Sequence, residues 1–350
     1  MLFRSGGQPR AYGRGDAFRR QQCPAANRPD PLGTPFLRAL SNVPNERSSF
    51  APPRPGVPRL LIVDGHAYAY RAFHAIRQLN GPDGSPTNAV YGFIKMLSKL
   101  RASLAPTHLV VIWDGGLAEE RVAVHPEYKA HRPPMPEGLS RQLDEIMEYL
   151  RAAGIASWCR DGVEADDWIA GVARRAAAAG AEVVIASADK DFMQLVRQGI
   201  GLANPNDKSE RIWTEADVVQ KTGVRPEQIV DWLSLVGDSV DNIPGVPGVG
   251  PKTATGLLQQ FGSLAALYDR IEEVTSERIR QNLEGARSSM QRNQALIRLQ
   301  DEVGAAFQLA EAVPGGEDRN HLRALYQRWG FRSLAASLAG QEEPVQRELL

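Results

Sequence analysis

Three short apolar runs recur in the first half of the chain, and each leads into an aspartate. They are RLLIVDG at positions 59–65, HLVVIWDG at 108–115 and AEVVIASAD at 181–189. Short runs without polar alternation are typical of strands that are buried on both faces of a parallel sheet. The aspartates, Asp64, Asp114 and Asp189, would then lie at the carboxyl ends of three strands.

Between these runs, apolar residues recur at helical spacing over 89–101, 139–153 and 165–179, and Gly180 is a candidate cap for the third helix. Strands that alternate with helices predict an α/β domain with a mostly parallel sheet flanked by helices. Ligands of such sheets bind at the carboxyl ends of the strands. The three aspartates are therefore expected to share one site.

From about Trp213 the pattern becomes helical. Thr214 and Gly223 bracket one predicted helix, and PGVPGVGPKTATGLLQQFG then predicts a Gly/Pro-rich hairpin that opens a helix near Pro251. Residues 264–339 also have a helical pattern with charged faces. We therefore predict a first domain over 57–212, a helical region over 213–338 and a tail over 339–350.

Residues 1–56 have no sustained hydrophobic period and contain many Arg, Gly and Pro residues but few acids. This composition predicts a disordered basic arm. Two alternatives stay open, namely a transit peptide, which is also Arg-rich and poor in acids, and an extension from a misassigned translation start.

Composition narrows the class of protein further. The 41 Lys and Arg residues balance the 41 Asp and Glu residues, so total charge does not indicate a nucleic-acid partner. No stretch approaches the roughly 20 apolar residues of a membrane span, so we expect a soluble protein with no membrane partner. Cys23 and Cys159 supply neither a disulfide framework nor a zinc site. A reducing compartment, the cytoplasm, is expected, with organelle targeting by residues 1–56 left open.

The stretch VEADD places Glu164, Asp166 and Asp167 in the cap and first turn of a predicted helix. The helix dipole favours negative charge there by about 0.3–1 kcal/mol for each acid. Ordinary surface acids would satisfy that preference, and this interpretation stays open for these three residues alone. The dipole does not explain acids at the ends of buried strands.

The complete set of acids points to metal ions. GDSVDN at 237–242 adds a pair with a spacing of three, which predicts that both lie on one side of a helical turn. So many neighbouring carboxylates could not all ionise near neutral pH without cations among them. Oxygen ligands without His or Cys favour Mg²⁺ or Mn²⁺, and their number predicts two ions. The candidate ligands are Asp64, Asp114, Glu164, Asp166, Asp167, Asp189, Asp191, Asp238 and Asp241.

Several motifs in one order give the chain a family resemblance. LLIVDGHAYAYRAFHA, WDGGLAEERVAVHPEYKAHRPPMPE, VEADDWIA, ASADKDFMQL, GDSVDNIPGVPGVGPKTA and LRALYQRWGFRSL resemble the 5′-to-3′ exonuclease domain of bacterial DNA polymerase I and, more broadly, the flap endonucleases. The resemblance runs from about Arg59 to Leu338 in a stand-alone form. It implies a PIN-like α/β nuclease with a helix–hairpin–helix (helix-three-turn-helix) DNA-binding region, acting in DNA replication or repair.

The resemblance also assigns the acids to two metal clusters. Asp64, Asp114, Glu164, Asp166 and Asp167 match the first cluster, and Asp189, Asp191, Asp238 and Asp241 match the second. It implies two-metal hydrolysis of phosphodiesters in branched or nicked DNA with a 5′ single strand, by a monomer with a separate polymerase as partner. Asp114 is thereby also a candidate catalytic residue.

Residues 115–138, which we call the arch segment, have weak periodicity and contain HPEYKAHRPPMP. A solvated loop is one interpretation. The resemblance implies instead an arch through which a single strand passes, with Lys129 and Arg132 on the scissile phosphate and Tyr128 as a stacking face for a base. Arg71 matches a phosphate-binding arginine of the family, and a surface salt bridge is its alternative.

The glycines at 245–250, which we call the glycine hairpin, do not form a nucleotide-binding phosphate loop, because Pro251 stands before Lys252. We expect instead that Gly245, Gly248 and Gly250 let backbone N–H groups approach a duplex phosphate, with Lys252 as a salt-sensitive contact. A plain turn is the alternative. The resemblance implies a K⁺ ion at this hairpin.

Departures from the family pattern are few. Trp113 stands where Phe is usual, and Glu120 and Val122 replace the usual aromatic residue and His beside Arg121. These changes affect the expected substrate preference of the entry loop, not the metal chemistry.

Two rival functions remain. A phosphatase with an aspartyl nucleophile would use Asp189 in DKD, but Met193 stands where its Thr or Val is expected, and the other acids would go unexplained. A non-catalytic module that binds branched DNA would gain nothing from carboxylates facing phosphates.

Overall fold

The carboxyl ends of five parallel strands form one edge of a central sheet in the order β3-β2-β1-β4-β5. The computed structural model describes residues 54–207, 211–304 and 306–339. Most of the predicted basic arm and of the predicted tail lies outside these residues. The strands are β1 (Arg59–Asp64), β2 (His108–Trp113), β3 (Ala156–Cys159), β4 (Glu182–Ala186) and β5 (Ile200–Ala203).

The three apolar runs form β1, β2 and β4, in agreement with the sequence prediction. Asp64 pairs in register with Ile112, and Val63 pairs with Ala186, so these three strands end level with one another. Strands β3 and β5 were not predicted, because each has only four residues and β3 is half-exposed at the edge of the sheet.

Helices cover both faces of the sheet. The predicted helices are present, with ends that differ from the prediction by three residues or fewer, and Gly180 has the positive φ of a cap. One face packs against α5, and the other packs against α1, α2 and α4. The helices are α1 (Gly65–Ala75), α2 (Asn88–Leu104), α3 (Glu119–Val124), α4 (Glu137–Ala152) and α5 (Ala165–Ala178).

The second half is helical, as the pattern predicted. Thr214 caps the first of its helices, where its backbone N–H donates to Asp217 Oδ2 at 2.7 Å, and Gly223 ends it with φ of 79°. The α-helices are α6 (Glu215–Thr222), α7 (Ile229–Val236), α8 (Pro251–Phe261), α9 (Leu264–Asp269), α10 (Glu277–Ile297), α11 (Arg319–Arg328) and α12 (Arg332–Ala339). Short 3₁₀ helices lie at Lys190–Leu195, Pro226–Gln228, Ile271–Glu273, Glu302–Gly304 and Leu309–Ala312.

The region after α7 corrects one prediction. Asp238 and Asp241 do not lie on a helical turn, because Gly237 ends α7 with φ of 82° and the chain reverses. Two antiparallel strands, β6 (Gly237–Asp238) and β7 (Ile243–Pro244), form a hairpin there, which we call the acidic hairpin (residues 237–244). The glycine hairpin follows it and leads into α8, so α7 and α8 form the predicted helix–hairpin–helix.

The indole of Trp113, at the end of β2, packs against the start of α1. A Cβ at Gly65 would lie 2.5 Å from Trp113 Cδ2, so only glycine fits beneath the indole, and Trp113 Nε1 donates to Ser157 Oγ at 2.9 Å. In the described ranges no helix is long and apolar enough to cross a membrane.

Candidate metal-dependent nuclease site

Asp64 begins α1 at the carboxyl end of β1 and is held from two sides. Its Oδ1 accepts the N–H of Ala67 at 3.0 Å, and its Oδ2 accepts the hydroxyl of Ser187 at 2.8 Å. Ser187 follows β4 and also accepts the N–H of Asp189 at 3.1 Å. Burial raises the pKa of Asp64 to about 6, and the charges of Asp189 and Asp114 act in the same direction. The ends of β1 and β4 thus meet, as the strand-end aspartates predicted.

Asp189 interacts electrostatically with acids from three other segments of the chain. Burial raises the pKa of Asp189, the hydrogen bond from Asp191 opposes that rise, and the charges of Asp241 and Asp238 add to it. Burial and then the charge of Asp189 raise the pKa of Asp166 well above its ordinary value. The two predicted clusters are therefore close enough to interact electrostatically and meet at Asp189.

Asp191 gives the clearest sign that a cation belongs here. Its Oδ1 is buried without a hydrogen-bond partner in the described structure. Burial raises the pKa of Asp191 well above its ordinary value, and the negative charges of Asp189, Asp241 and Asp238 raise it further. An acceptor-only oxygen among repelling carboxylates suits a hard divalent cation. The donor set therefore fits the metal chemistry that the sequence predicted.

The predicted ligands are not already arranged around one point. Across the described ranges, no three Asp, Glu, His or Cys side chains form a ready-made metal site. Basic side chains of the protein bind four of the predicted ligands instead. Lys129 binds Glu164, Arg121 binds Glu164 and Asp167, Arg132 binds Asp241, and Lys190 binds Asp238.

Glu164 is the most heavily bonded of these carboxylates. Its Oε2 accepts Lys129 Nζ at 2.7 Å, Arg121 Nη1 at 2.8 Å and the Tyr128 hydroxyl at 3.2 Å, and its Oε1 accepts the N–H of Ala118 at 3.2 Å. Burial would raise the pKa of Glu164, but Lys129 and Arg121 hold it below its ordinary value. Glu164 is therefore ionised. Its hydrogen bonds link the arch segment to the start of α5.

Asp167 accepts hydrogen bonds from groups outside the set of acids. Its Oδ1 accepts Arg121 Nη2 at 2.7 Å and the N–H of Gln300 at 2.8 Å. Burial raises the pKa of Asp167, although Arg121 opposes that rise. In this conformation Asp167 anchors Arg121 and the chain after α10.

The structure corrects the predicted place of Tyr128. Its side chain is buried, with its hydroxyl on Glu164 and its ring 4.9 Å from Lys129 Nζ. No base can stack on this ring unless the arch segment moves. The reason is that the apolar ring fills the core between α5 and the arch segment, a role that the sequence motif did not distinguish from stacking.

Lys129 and Arg132 lie at the acids, and their predicted contact with a phosphate stays a prediction. Lys129 is 2% exposed, and the charge of Glu164 holds its pKa well above the ordinary value although burial opposes this. Arg132 Nη2 binds Asp241 Oδ1. Asp114, half-buried after β2, accepts the N–H of Gly116 at 3.0 Å, and its own N–H donates to His66 Nδ1 at 3.1 Å.

The remaining predicted DNA contacts lie on α1 and at the glycine hairpin. Arg71 on α1 donates to Asn206 Oδ1. A Cβ at Gly245 would lie 2.3 Å from Val236 O, so this glycine is required for packing. Gly250 caps α8 with open space around its Cα, and Lys252 is exposed in the first turn of α8. Gly250 and Lys252 are thus placed to contact a ligand, whereas Gly245 shapes the hairpin.

Two supporting residues were missed from the sequence. Arg121 was noted only for its neighbours, yet it is buried between Glu164 and Asp167. Ser187 joins Asp64 to Asp189. Ser187 could have been found from its position two residues before Asp189. No local feature of the sequence shows that Arg121, inside a polar loop, is buried.

Comparison with known proteins agrees with this geometry. Residues 59–223 match the family of the 5′-3′ exonuclease N-terminal resolvase-like domain, and residues 224–320 match that of the 5′-3′ exonuclease C-terminal SAM fold. A 5′-3′ exonuclease of Aquifex aeolicus is 36% identical over 275 residues, covering 79% of this chain and 93% of that protein.

DNA polymerase I of Bacillus caldotenax is 37% identical over 292 residues, which are 83% of this chain. The chain spans about a third of that polymerase, since the match covers 33% of its length.

Two solved structures share the fold. A T5 5′-exonuclease with bound zinc has a TM-score of 0.58 at 21% identity, over 81% of this chain and 100% of that one. The catalytic core of Rad2 with a DNA substrate has a TM-score of 0.56 at 16% identity, over 81% and 93%. The matched residues of both domains, together with the Aquifex relative, show that this chain belongs to the 5′-3′ exonuclease family.

Proposed function

We propose that this protein is a structure-specific 5′-to-3′ exonuclease and flap endonuclease that hydrolyses phosphodiesters in nicked or branched DNA. The observation that supports this proposal best is that acids from four separate segments lie close enough to interact electrostatically through Asp189. Two basic residues of the arch segment, Lys129 and Arg132, bind acids of the same group. A phosphatase or a simple DNA-binding module would need neither the number of acids nor the basic pair.

The acids named above as two clusters would hold two Mg²⁺ or Mn²⁺ ions. When bound, such ions supply positive charge for the phosphate and lower the pKa of water. A K⁺ ion at the glycine hairpin also belongs to the proposal, and its only support is the family resemblance.

The protein's own residues have distinct tasks in this proposal. Lys129 and Arg132 exchange their carboxylate partners for the phosphate of the substrate and stabilise its developing charge. Lys252 and the backbone at Gly250 hold the duplex by its phosphates and so recognise shape and not sequence. Ser187 keeps Asp64 and Asp189 at a fixed separation through its two hydrogen bonds.

The decisive experiment measures product sizes on labelled 5′-flap, nicked and blunt DNA with the full chain. We expect cleavage in Mg²⁺ and none in EDTA, and we expect Asp189→Asn to lower the rate by at least about two orders of magnitude. Asp144→Asn, an exposed acid on α4, is the matched control and should cut as the wild type does. Flap binding without cleavage in Mg²⁺ or Mn²⁺ would overturn the proposal.

A further inference from the structure

The arch segment is fastened to the acidic hairpin by backbone contacts as well as by ion pairs. The N–H of Lys129 donates to the carbonyl of Asp241 at 3.0 Å. The side-chain amide of Asn242 donates to the carbonyl of Glu127 at 2.9 Å, and His125 Nε2 donates to the carbonyl of Asn242 at 3.0 Å. Three hydrogen bonds thus join residues 125–129 to two consecutive residues of the acidic hairpin.

We call this set of three hydrogen bonds the junction. A residue on each side of it has an unusual backbone conformation. Lys129 and Asn242 each have φ of 57°, and Ala105 is the only other non-glycine residue with positive φ in the described ranges. The left-handed conformation is unfavourable for a lysine, whereas asparagine tolerates it. A lysine persists there only where the surrounding structure holds it. The N–H of Lys129 is held by Asp241 and its carbonyl by the N–H of Arg132, while Asn242 holds the same turn at Glu127, two residues earlier.

The junction decides where the Lys129 ammonium lies. Lys129 has a buried side chain whose Nζ reaches Glu164 at 2.7 Å, so a small rotation of its backbone would withdraw it from the acids. Asn242 does not itself contact Glu164 in the structure; it holds the turn that carries Lys129. Because Asn242 directly follows Asp241, the same short segment also positions one predicted metal ligand.

We propose that Asn242 is a positioning residue for Lys129, assisted by His125, and that this junction sets the rate of phosphodiester cleavage without contributing to duplex binding. The inference rests on the proposed nuclease function and adds to it a residue outside the acid and base set. The duplex is held at the glycine hairpin, so affinity for DNA should not depend on the Asn242 amide.

The test uses Asn242→Gly, which keeps the positive φ but removes the amide, and Asn242→Asp, which keeps the shape but presents an acceptor to the Glu127 carbonyl. We expect single-turnover cleavage of a 5′-flap in Mg²⁺ to fall about 3- to 10-fold in both variants, with an unchanged Kd for the flap. Asp144→Asn, the exposed acid on α4, is the control and should cut at the wild-type rate.

A double-mutant cycle separates positioning from general damage. In the Lys129→Met background, Asn242→Gly should change the rate by less than about 2-fold, because the side chain that it positions is already gone. A full further drop in that background would show that Asn242 acts independently of Lys129 and would overturn the inference.

Hydrogen exchange of the metal-free protein gives a readout that does not depend on activity. We expect faster exchange over residues 125–132 in Asn242→Gly, with β1 and α5 unchanged. Unaltered exchange and an unaltered rate would refute the junction. If the wild type fails to cut any flap while exchange responds as expected, the proposed function fails but the junction itself stands.

Discussion

Arg121 Nη1 lies 2.8 Å from Glu164 Oε2, and both side chains are almost completely buried. The same guanidinium reaches Asp167 Oδ1 at 2.7 Å with its other terminal nitrogen. One arginine therefore neutralises two acids that are three positions apart at the start of α5. This arrangement stabilises the start of α5 when no divalent ion is bound.

Replacing Arg121 should destabilise the metal-free protein strongly. We expect Arg121→Met to lower the free energy of unfolding by about 3–5 kcal/mol, because Asp167 and Glu164 would lose a buried partner. Arg121→Lys should cost less, since an ammonium can reach one carboxylate but not both. Urea unfolding in EDTA measures both variants, and a loss below about 1 kcal/mol for Arg121→Met would contradict this account.

The contribution of Asp64 to the stability of the metal-free protein should fall as pH rises from about 4 to about 6. The pKa of Asp64 is raised from 3.8 to about 6, so the folded state binds a proton that the unfolded state has released in this window. Ionising Asp64 in the folded protein then costs on the order of 3 kcal/mol above pH 6. Asp166, Asp189 and Asp191 have raised pKa values and act in the same direction.

Denaturant unfolding across pH 4–8 in EDTA tests this expectation. Asp64→Asn should flatten part of the slope. Mg²⁺ should stabilise the wild type more at pH 8 than at pH 5, because ionised carboxylates bind it. An Asp64→Asn variant with the same pH dependence of stability as the wild type would refute the proposed repulsion.

The two ends of the glycine hairpin should respond differently to alanine. Gly245→Ala places a Cβ 2.3 Å from Val236 O and should destabilise the fold by about 1–3 kcal/mol. Gly250→Ala meets no atom within 4 Å in the described structure and should cost about 1 kcal/mol or less. Thermal unfolding and duplex binding, measured together, distinguish the two positions.

If Gly250 meets DNA, Gly250→Ala should weaken duplex binding while the protein stays stable. Gly256→Ala, on the same helix and also in open space, is the control and should bind as the wild type does. Equal affinity in all three proteins would remove Gly250 from the DNA contact.

The sequence predicted well which segments of the chain contribute acids to the site, and the physical reason differs from residue to residue. Asp64 and Asp114 follow continuous apolar runs, so their place at the carboxyl edge followed from the strands alone. Asp238 and Asp241 were assigned to the right neighbourhood but to the wrong local structure, because a spacing of three does not distinguish a helical turn from a tight hairpin. The positive φ of Gly237 decides that difference and cannot be read from the residue type alone.

The partners of the basic residues were beyond sequence reasoning. Lys129 and Tyr128 belong to a polar loop, and only the folded chain shows that both are buried. Asn242 had no distinguishing signal, since its role depends on a carbonyl 115 positions away in the sequence. Long-range hydrogen bonds of this kind leave no periodic trace in a single sequence.

Helix α10 connects the glycine hairpin with the acids. Near its start Asn282 donates to the carbonyl of Pro247 at 2.9 Å, and just beyond its end the N–H of Gln300 donates to Asp167. Its 21 residues extend about 30 Å. The helix therefore acts as a spacer of constant length, and removing one residue from its middle would turn its two ends by about 100° relative to each other. The distance and rotation between the glycine hairpin and the acids would then be set by the length of this one helix.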